Sequence, residues 1–178
     1  MKKKLLIGFG SKARIGKDFA VTELRALGYS ISRVAFADVL KSNLASFFHL
    51  YHKMDFYKLC EDDTTKAKLR PLMVAYGQVM RELDPYIWVD SAGLPSIIDT
   101  CDSDIVAVTD VRFPNEVARL KQLGGVYIDI DADVPPANET EAENSALLRD
   151  MADYVVRNDF DSNYRLALDK LIKELKAR

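Results

Sequence analysis

At 178 residues, with 48% apolar and 29% charged side chains, the chain has the length and composition of one folded domain, which excludes a disordered or fibrous protein. A formal charge of -2 excludes the broad positive field that holds a nucleic-acid polymer, but leaves room for the few placed cations that a free nucleotide needs. Cys60 and Cys101 stand too far apart for a C-x-x-C pair, which argues against a disulfide framework, a zinc site or a redox motif and fits a reducing cytoplasm.

The start, Met1-Lys2-Lys3-Lys4, is basic like the head of a signal peptide, but glycines and Lys12 cut short the apolar run that follows, so neither export nor a membrane span is expected. Residues 4–9 read as a strand closed by glycine. The spacing of Phe19, Val21, Leu24 and Leu27 then predicts a helix that stops at Gly28. A β-rich run over 29–36 leads into Ala37-Asp38, after which Val39, Leu40, Leu44, Phe47, Phe48 and Tyr51 recur at helical spacing. Residues 64–83 and 86–101 are helical in pattern, with Pro71, Pro85 and Pro95 marking a start or a bend. Alternation resumes with a buried-strand pattern at 104–109, a helix over 115–123 stopped by Gly124-Gly125, and a strand over 126–130. Residues 131–144 are rich in Asp, Glu, Pro and Ala and read as a mobile excursion; a short strand at 154–156 and a closing helix over 164–175 follow. Strands alternating with helices imply right-handed crossovers and a parallel sheet covered on both faces. The whole is expected to be one α/β domain over 1–178, with a helical insertion near 38–103 and a lid-like segment near 131–150.

The strongest chemical signal is Gly8-Phe9-Gly10-Ser11-Lys12-Ala13-Arg14-Ile15-Gly16-Lys17-Asp18, between a predicted strand and a predicted helix. Backbone N–H groups of such a turn and the start of the next helix offer partial positive charge to phosphates, and Lys17 adds a full charge. Against G-x-x-x-x-G-K-[ST], Ser11 takes the first glycine position and Asp18 replaces the hydroxyl residue that touches Mg²⁺; a carboxylate can hold that ion directly or through water. The alternative is a plain glycine turn with an acid at a helix start.

Val108-Thr109-Asp110-Val111-Arg112-Phe113-Pro114-Asn115-Glu116 ends an apolar strand, the end that faces the ligand crevice in open parallel sheets. Asp110 could order Mg²⁺ and Arg112 could neutralise a phosphoryl oxygen, or Asp110 could cap a helix and pair with Arg112. In the insertion, Arg70, Tyr76, Gln78, Arg81, Asp84 and Trp88 could form an acceptor pocket, with arginines on phosphate and a ring on a base; a solvated face with Trp88 in the core is the other reading. His49 and His52 lack supporting ligand spacing and read as ordinary helix residues.

In this order, GSKARIGKDFA, FADVLK, YGQVMRELDPYIWV, VTDVRFPNE, LKQLGGVYIDI and DYVVRND resemble the phage deoxynucleoside monophosphate kinases over nearly the whole chain, with animal phosphomevalonate kinases as more distant relatives sharing the GKD form of the loop. The resemblance implies a three-layer P-loop kinase fold with a parallel sheet of about five strands. It implies transfer from ATP to a small deoxynucleoside monophosphate, with Mg²⁺ on Asp18 and Asp110 and with Lys17, Arg14 and Arg112 stabilising charge. The loop residues Gly10, Ser11, Lys12, Ala13, Arg14, Ile15, Gly16, Lys17, Asp18 and Phe19 would bind ATP; Asp38, Lys41, Arg70, Gln78, Arg81, Asp84 and Trp88 would surround the acceptor. Such proteins often carry an H-x-S-E lid motif, where this chain has Thr140-Glu141-Ala142-Glu143 and Glu143 keeps the acidic position. The expected setting is cytoplasmic, the host cytoplasm if the chain is phage-encoded, with a homodimer left open. The rival readings are a kinase for another phosphorylated small molecule such as phosphomevalonate, and a non-catalytic nucleotide-binding protein.

Overall fold

The computed structural model describes residues 4–177, so Met1 to Lys3 of the basic start lie outside the described residues. The chain divides into two compact units, one running up to Val34 and resuming at Gly93, the other Ala35–Ala92.

The first unit holds one parallel five-stranded sheet in the order β2-β3-β1-β4-β5. Its strands are β1 (Leu5–Gly10), β2 (Ile31–Val34), β3 (Ile105–Val111), β4 (Val126–Asp131) and β5 (Tyr154–Arg157). In β3, every residue of IVAVTDV but Asp110 is buried, the near-continuous apolar run of a strand covered on both faces. The register pairs Gly8 with Val108 and Gly10 with Val111 on one side of β1, and Gly10 with Asp129 on the other. The carboxyl ends of β1, β3 and β4 therefore finish along one edge of the sheet.

The helices of this unit are α1 (Lys17–Ala26), α6 (Leu94–Thr100), α7 (Pro114–Gln122), α8 (Glu139–Asp150) and α9 (Ser162–Lys176). Helix α9 buries Tyr164, Leu168, Leu171, Ile172 and Leu175, an i, i+4, i+7, i+8, i+11 stripe, in a core with Ile7, Phe9, Leu24, Ile105, Ile128 and Ile130. The lid-like segment contains α8, which begins inside the stretch expected as a mobile excursion and whose first turn is capped by the Asn138 side chain accepting from the Glu141 N–H at 2.8 Å. Its sparse apolar residues conceal a helix that a cap and charge pairs hold, with only Leu148 fully buried.

The second unit is helical: α2 (Phe36–Phe47), a π-helical turn (Phe48–His52), α3 (Phe56–Leu59), α4 (Asp63–Leu83) and α5 (Ile87–Ser91). Pro71 lies inside α4 and does not end it. Trp88 is 2% exposed, donates Nε1–H to the Gly77 carbonyl at 3.1 Å and meets the Tyr76 ring edge-on at 5.6 Å. The helical pattern over 86–101 is met by two helices, α5 and α6, which part at Gly93, whose φ of 64° breaks the helical path just before Pro95.

Asn158, just past β5, is fully buried; its Nδ2 donates to the Ile15 carbonyl at 2.9 Å and its Oδ1 accepts from Phe160 N–H at 2.9 Å. Asn158→Ala strands both groups and should lower the unfolding free energy by roughly 1–3 kcal/mol in urea denaturation. An unchanged midpoint would show that this brace contributes nothing.

Candidate active site

The connection from β1 to α1, residues 10–17, is shaped by what surrounds it. A Cβ on Gly10 would strike the Tyr127 hydroxyl and the Val111 carbonyl. Gly16 has φ 90° and the Asn158 amide occupies the place where its Cβ would stand, so this position requires glycine twice over. Arg14 also takes a left-handed φ of 62°, and Ile15 between them is fully buried as an anchor. Tyr164 Oη donates to the Gly16 carbonyl at 3.2 Å, and Lys12 Nζ donates to the Val134 carbonyl at 2.7 Å.

Lys17 opens α1 and is 7% exposed, its Nζ donating to the Lys12 carbonyl. Burial first, and the neighbouring Arg112 charge second, push its pKa down to about 8, against the pull of Glu141, Asp110 and Asp18. Asp18 follows on the exposed side, where its Oδ1 accepts from Arg33 Nε at 2.8 Å and from the buried Thr109 hydroxyl at 3.0 Å. Partial burial works against its charge, but these two bonds hold its carboxyl below the usual carboxylate range. Past the end of β3, Glu116 Oε2 accepts from the Arg112 N–H at 2.7 Å and the Phe113 N–H at 3.1 Å. It thereby caps α7 and fixes the turn that carries Arg112.

Arg14, Gly16, Lys17, Asp18, Phe19, Asp110 and Arg112 line one cavity of about 350 Å³, together with Thr109, whose hydroxyl the sequence reading did not single out. Ser11 and Lys12 line a separate hollow of about 230 Å³ with Asp129, Asp131, Ser145 and Arg149, and there Arg149 bonds the buried Asp129. Ala13 turns its N–H toward the lid helix. There Glu141 Oε1 accepts from Ala13 N–H at 2.9 Å and from Arg112 Nη1 at 3.0 Å. Glu143, the lid acid picked out from the sequence, is exposed two residues further along α8. The helix phase decides this: Glu141 lies beside the Asn138 cap and looks back at the loop, a placement that motif alignment alone misses by two positions. Asn158 and Tyr164 were likewise not singled out; both act on the loop from distant sequence, and only DYVVRND hinted at the first.

In the helical unit, Asp38 and Lys41 pair at 3.6 Å, Gln78 Nε2 donates to Glu82 Oε1 at 3.1 Å, and Arg81 Nη1 donates to the Gly77 carbonyl at 3.1 Å. Arg70 is exposed, and the Asp84 carboxylate accepts from Tyr86 N–H at 2.9 Å. Trp88 is a core residue and offers no ring face to a base. His49 and His52 lie in the π-helical turn, and among the described residues no group of three or more His, Cys, Asp or Glu could hold a metal.

The model of one protein family, phosphomevalonate kinase, matches residues 9–125, from β1 through the loop, the helical unit and the Asp110–Arg112 strand end to the residue before β4. The chain belongs to the phosphomevalonate kinase family. The family thus recovered is the one the sequence placed as the more distant relative, and it brings a kinase-type P-loop architecture. Among solved structures, TT1252 from Thermus thermophilus is 15% identical, with a TM-score of 0.50, covering 99% of this chain and 98% of that one. Shikimate kinase from Bacteroides thetaiotaomicron is 11% identical (TM-score 0.46; 97% and 98% covered), and dephospho-CoA kinase from Campylobacter jejuni 13% identical (TM-score 0.46; 97% and 97% covered). A search of curated proteins finds no match. Among the described residues, no helix is long and apolar enough to cross a membrane.

The buried Lys17 makes a measurable trade. Its pKa falls from 10.5 to about 8, so below pH 8 both folded and unfolded chains carry the proton and the fold bears the full cost of burying the charge. As pH rises from 8 toward 10.5 the folded chain releases its proton first and the cost is relieved. Lys17→Met should therefore be more stable than the parent at neutral pH, by on the order of 3 kcal/mol, with the gap closing as pH rises above 8. Paired thermal melts across pH check this; a gap that ignores pH contradicts it.

Proposed function

We propose that the protein is an ATP-dependent kinase whose acceptor is itself a phosphorylated small molecule, and that a deoxynucleoside monophosphate is that acceptor. The observation that carries the kinase reading is the convergence of Lys17, Arg112, Asp18 and Asp110 on one cavity at the mouth of a glycine-shaped loop. Cations to hold a polyphosphate and carboxylates to hold a divalent ion stand within one small volume, as phosphoryl transfer requires.

In this mechanism the donor's phosphates lie along the N–H groups of residues 13–18 and the start of α1, with Lys17 on the transferring group. An oxygen of the acceptor's phosphate forms the new bond to the γ-phosphorus as the bond from that phosphorus to the β–γ bridging oxygen breaks, and ADP leaves with the electron pair. The acceptor oxygen is already ionised, so no general base is needed. Arg112 and Arg14 neutralise the oxygens of the group in flight. Asp18 and Asp110 suit Mg²⁺: Asp18 is 70% exposed, Thr109 and Arg33 fix only its Oδ1, and its Oδ2 makes no hydrogen bond among the described residues. When bound, that ion neutralises phosphate charge.

Support for a nucleotide acceptor comes from the resemblance in YGQVMRELDPYIWV. The family match supports the second reading, a phosphomevalonate acceptor. Arg70 and Arg81 are the arginines assigned to the acceptor's phosphate in either case.

An assay coupling ADP release to a chromophore, run over deoxynucleoside monophosphates, nucleoside monophosphates and phosphomevalonate, separates the readings by which acceptor drives turnover. Arg70→Ala should then raise KM for the true acceptor and leave KM for ATP nearly unchanged, by the equivalent of roughly 1.5–3 kcal/mol for a lost charge-assisted contact. ATP binding without transfer to any of these acceptors would instead support a non-catalytic protein.

A further inference from the structure

The lid carboxylate occupies a place that the proposed reaction reserves for phosphate. Glu141 is 11% exposed, and both its oxygens are engaged. Oε1 accepts from the loop N–H of Ala13 at 2.9 Å and from Arg112 at 3.0 Å; Oε2 accepts from the N–H of Ala137 at 2.6 Å. One backbone donor of the phosphate loop and one of its cations are thus already satisfied by an anion from α8. Its charge also acts on Lys17. We infer that Glu141 is a phosphate mimic, which competes with the polyphosphate of a nucleotide for the Ala13 N–H and Arg112 and must leave before that polyphosphate can bind. The inference rests on the reading of residues 10–17 as a nucleotide phosphate site.

The physical logic is one of compensation. Lys17 and Arg112 are like charges close enough to depress the Lys17 pKa, and their mutual repulsion is a standing cost. A single carboxylate relieves part of that repulsion. A polyphosphate carries several charges and more acceptor oxygens, so it outcompetes the carboxylate while still having to displace it. Apparent affinity is then the intrinsic affinity scaled by the fraction of molecules in which Glu141 is out. Displacement also frees the Ala137 N–H. The start of α8, held by the Asn138 cap on the Glu141 N–H, is the segment that must shift.

The test is ATP binding by calorimetry to the full-length chain and to two variants, Glu141→Gln, which keeps the shape and drops the charge, and Glu141→Ala, which removes both. The expected result is a dissociation constant roughly ten-fold lower in Glu141→Ala, with Glu141→Gln also tighter than the parent. Equal or weaker binding by the variants, with clear binding by the parent, overturns the inference and leaves the nucleotide site standing. No binding of ATP or pyrophosphate by parent or variants overturns the nucleotide reading and the mimic together. Should neither variant fold, amide exchange in the parent chain decides: ATP must deprotect the Ala137 N–H, and unchanged protection overturns the inference.

Discussion

The structure turns on a lysine ammonium placed almost out of water. Lys17 has a backbone carbonyl as its hydrogen-bond partner and, among the described residues, no carboxylate within ion-pair distance. Burial of a charge so weakly compensated is unfavourable, and its depressed pKa expresses that cost. The surroundings have to impose it. Ile15 anchors the loop in the core, Asn158 and Tyr164 bind the carbonyls of residues 15 and 16, and Tyr127 fills the space behind Gly10. The stability lost at Lys17 is recovered in the α9 stripe and in the sheet, far from any ligand.

Around that cation the charges form a graded set. Arg112, Arg14, Asp18 and Asp110 line the same cavity as Lys17, and Glu141 of α8 pairs with Arg112. The replacement of the usual loop hydroxyl by Asp18 acquires a physical sense here. A hydroxyl is still present at that corner, supplied by Thr109 from β3, and it donates to the carboxylate that took its place. Sheet register makes this meeting possible, because β1 and β3 run parallel and in step up to Gly8 and Val108, one residue before Thr109.

Much of the fold was legible because the informative signals are local. Short apolar runs gave all five strands to within a few residues, and the amphipathic pattern from Tyr164 to Leu175 gave α9. The lid was less legible: α8 has a weak apolar stripe, and its start depends on the capping geometry of Asn138, which composition hides. Within the site, residues 10–18 and 110–112 announced themselves through motif and position. The residues that hold them did not. Asn158 acts on Ile15 across the sheet, and Glu141 reaches Ala13 from a helix more than a hundred positions on, contacts that no periodicity encodes. Trp88 shows the opposite failure, since an aromatic in an acceptor motif reads equally well as a binding face and as the core residue it is.

Lys17, its pKa pushed down to about 8, gives up part of its proton near that pH, and the phosphates of a bound nucleotide would restore it. Calorimetric titration with ATP near pH 8, repeated in buffers of different ionisation enthalpy, counts the protons exchanged on binding. A polyanion beside Lys17 must raise its pKa, so ATP binding should take up a net fraction of a proton in the parent chain and none in Lys17→Met. Tight ATP binding with the same proton count in both proteins would contradict it.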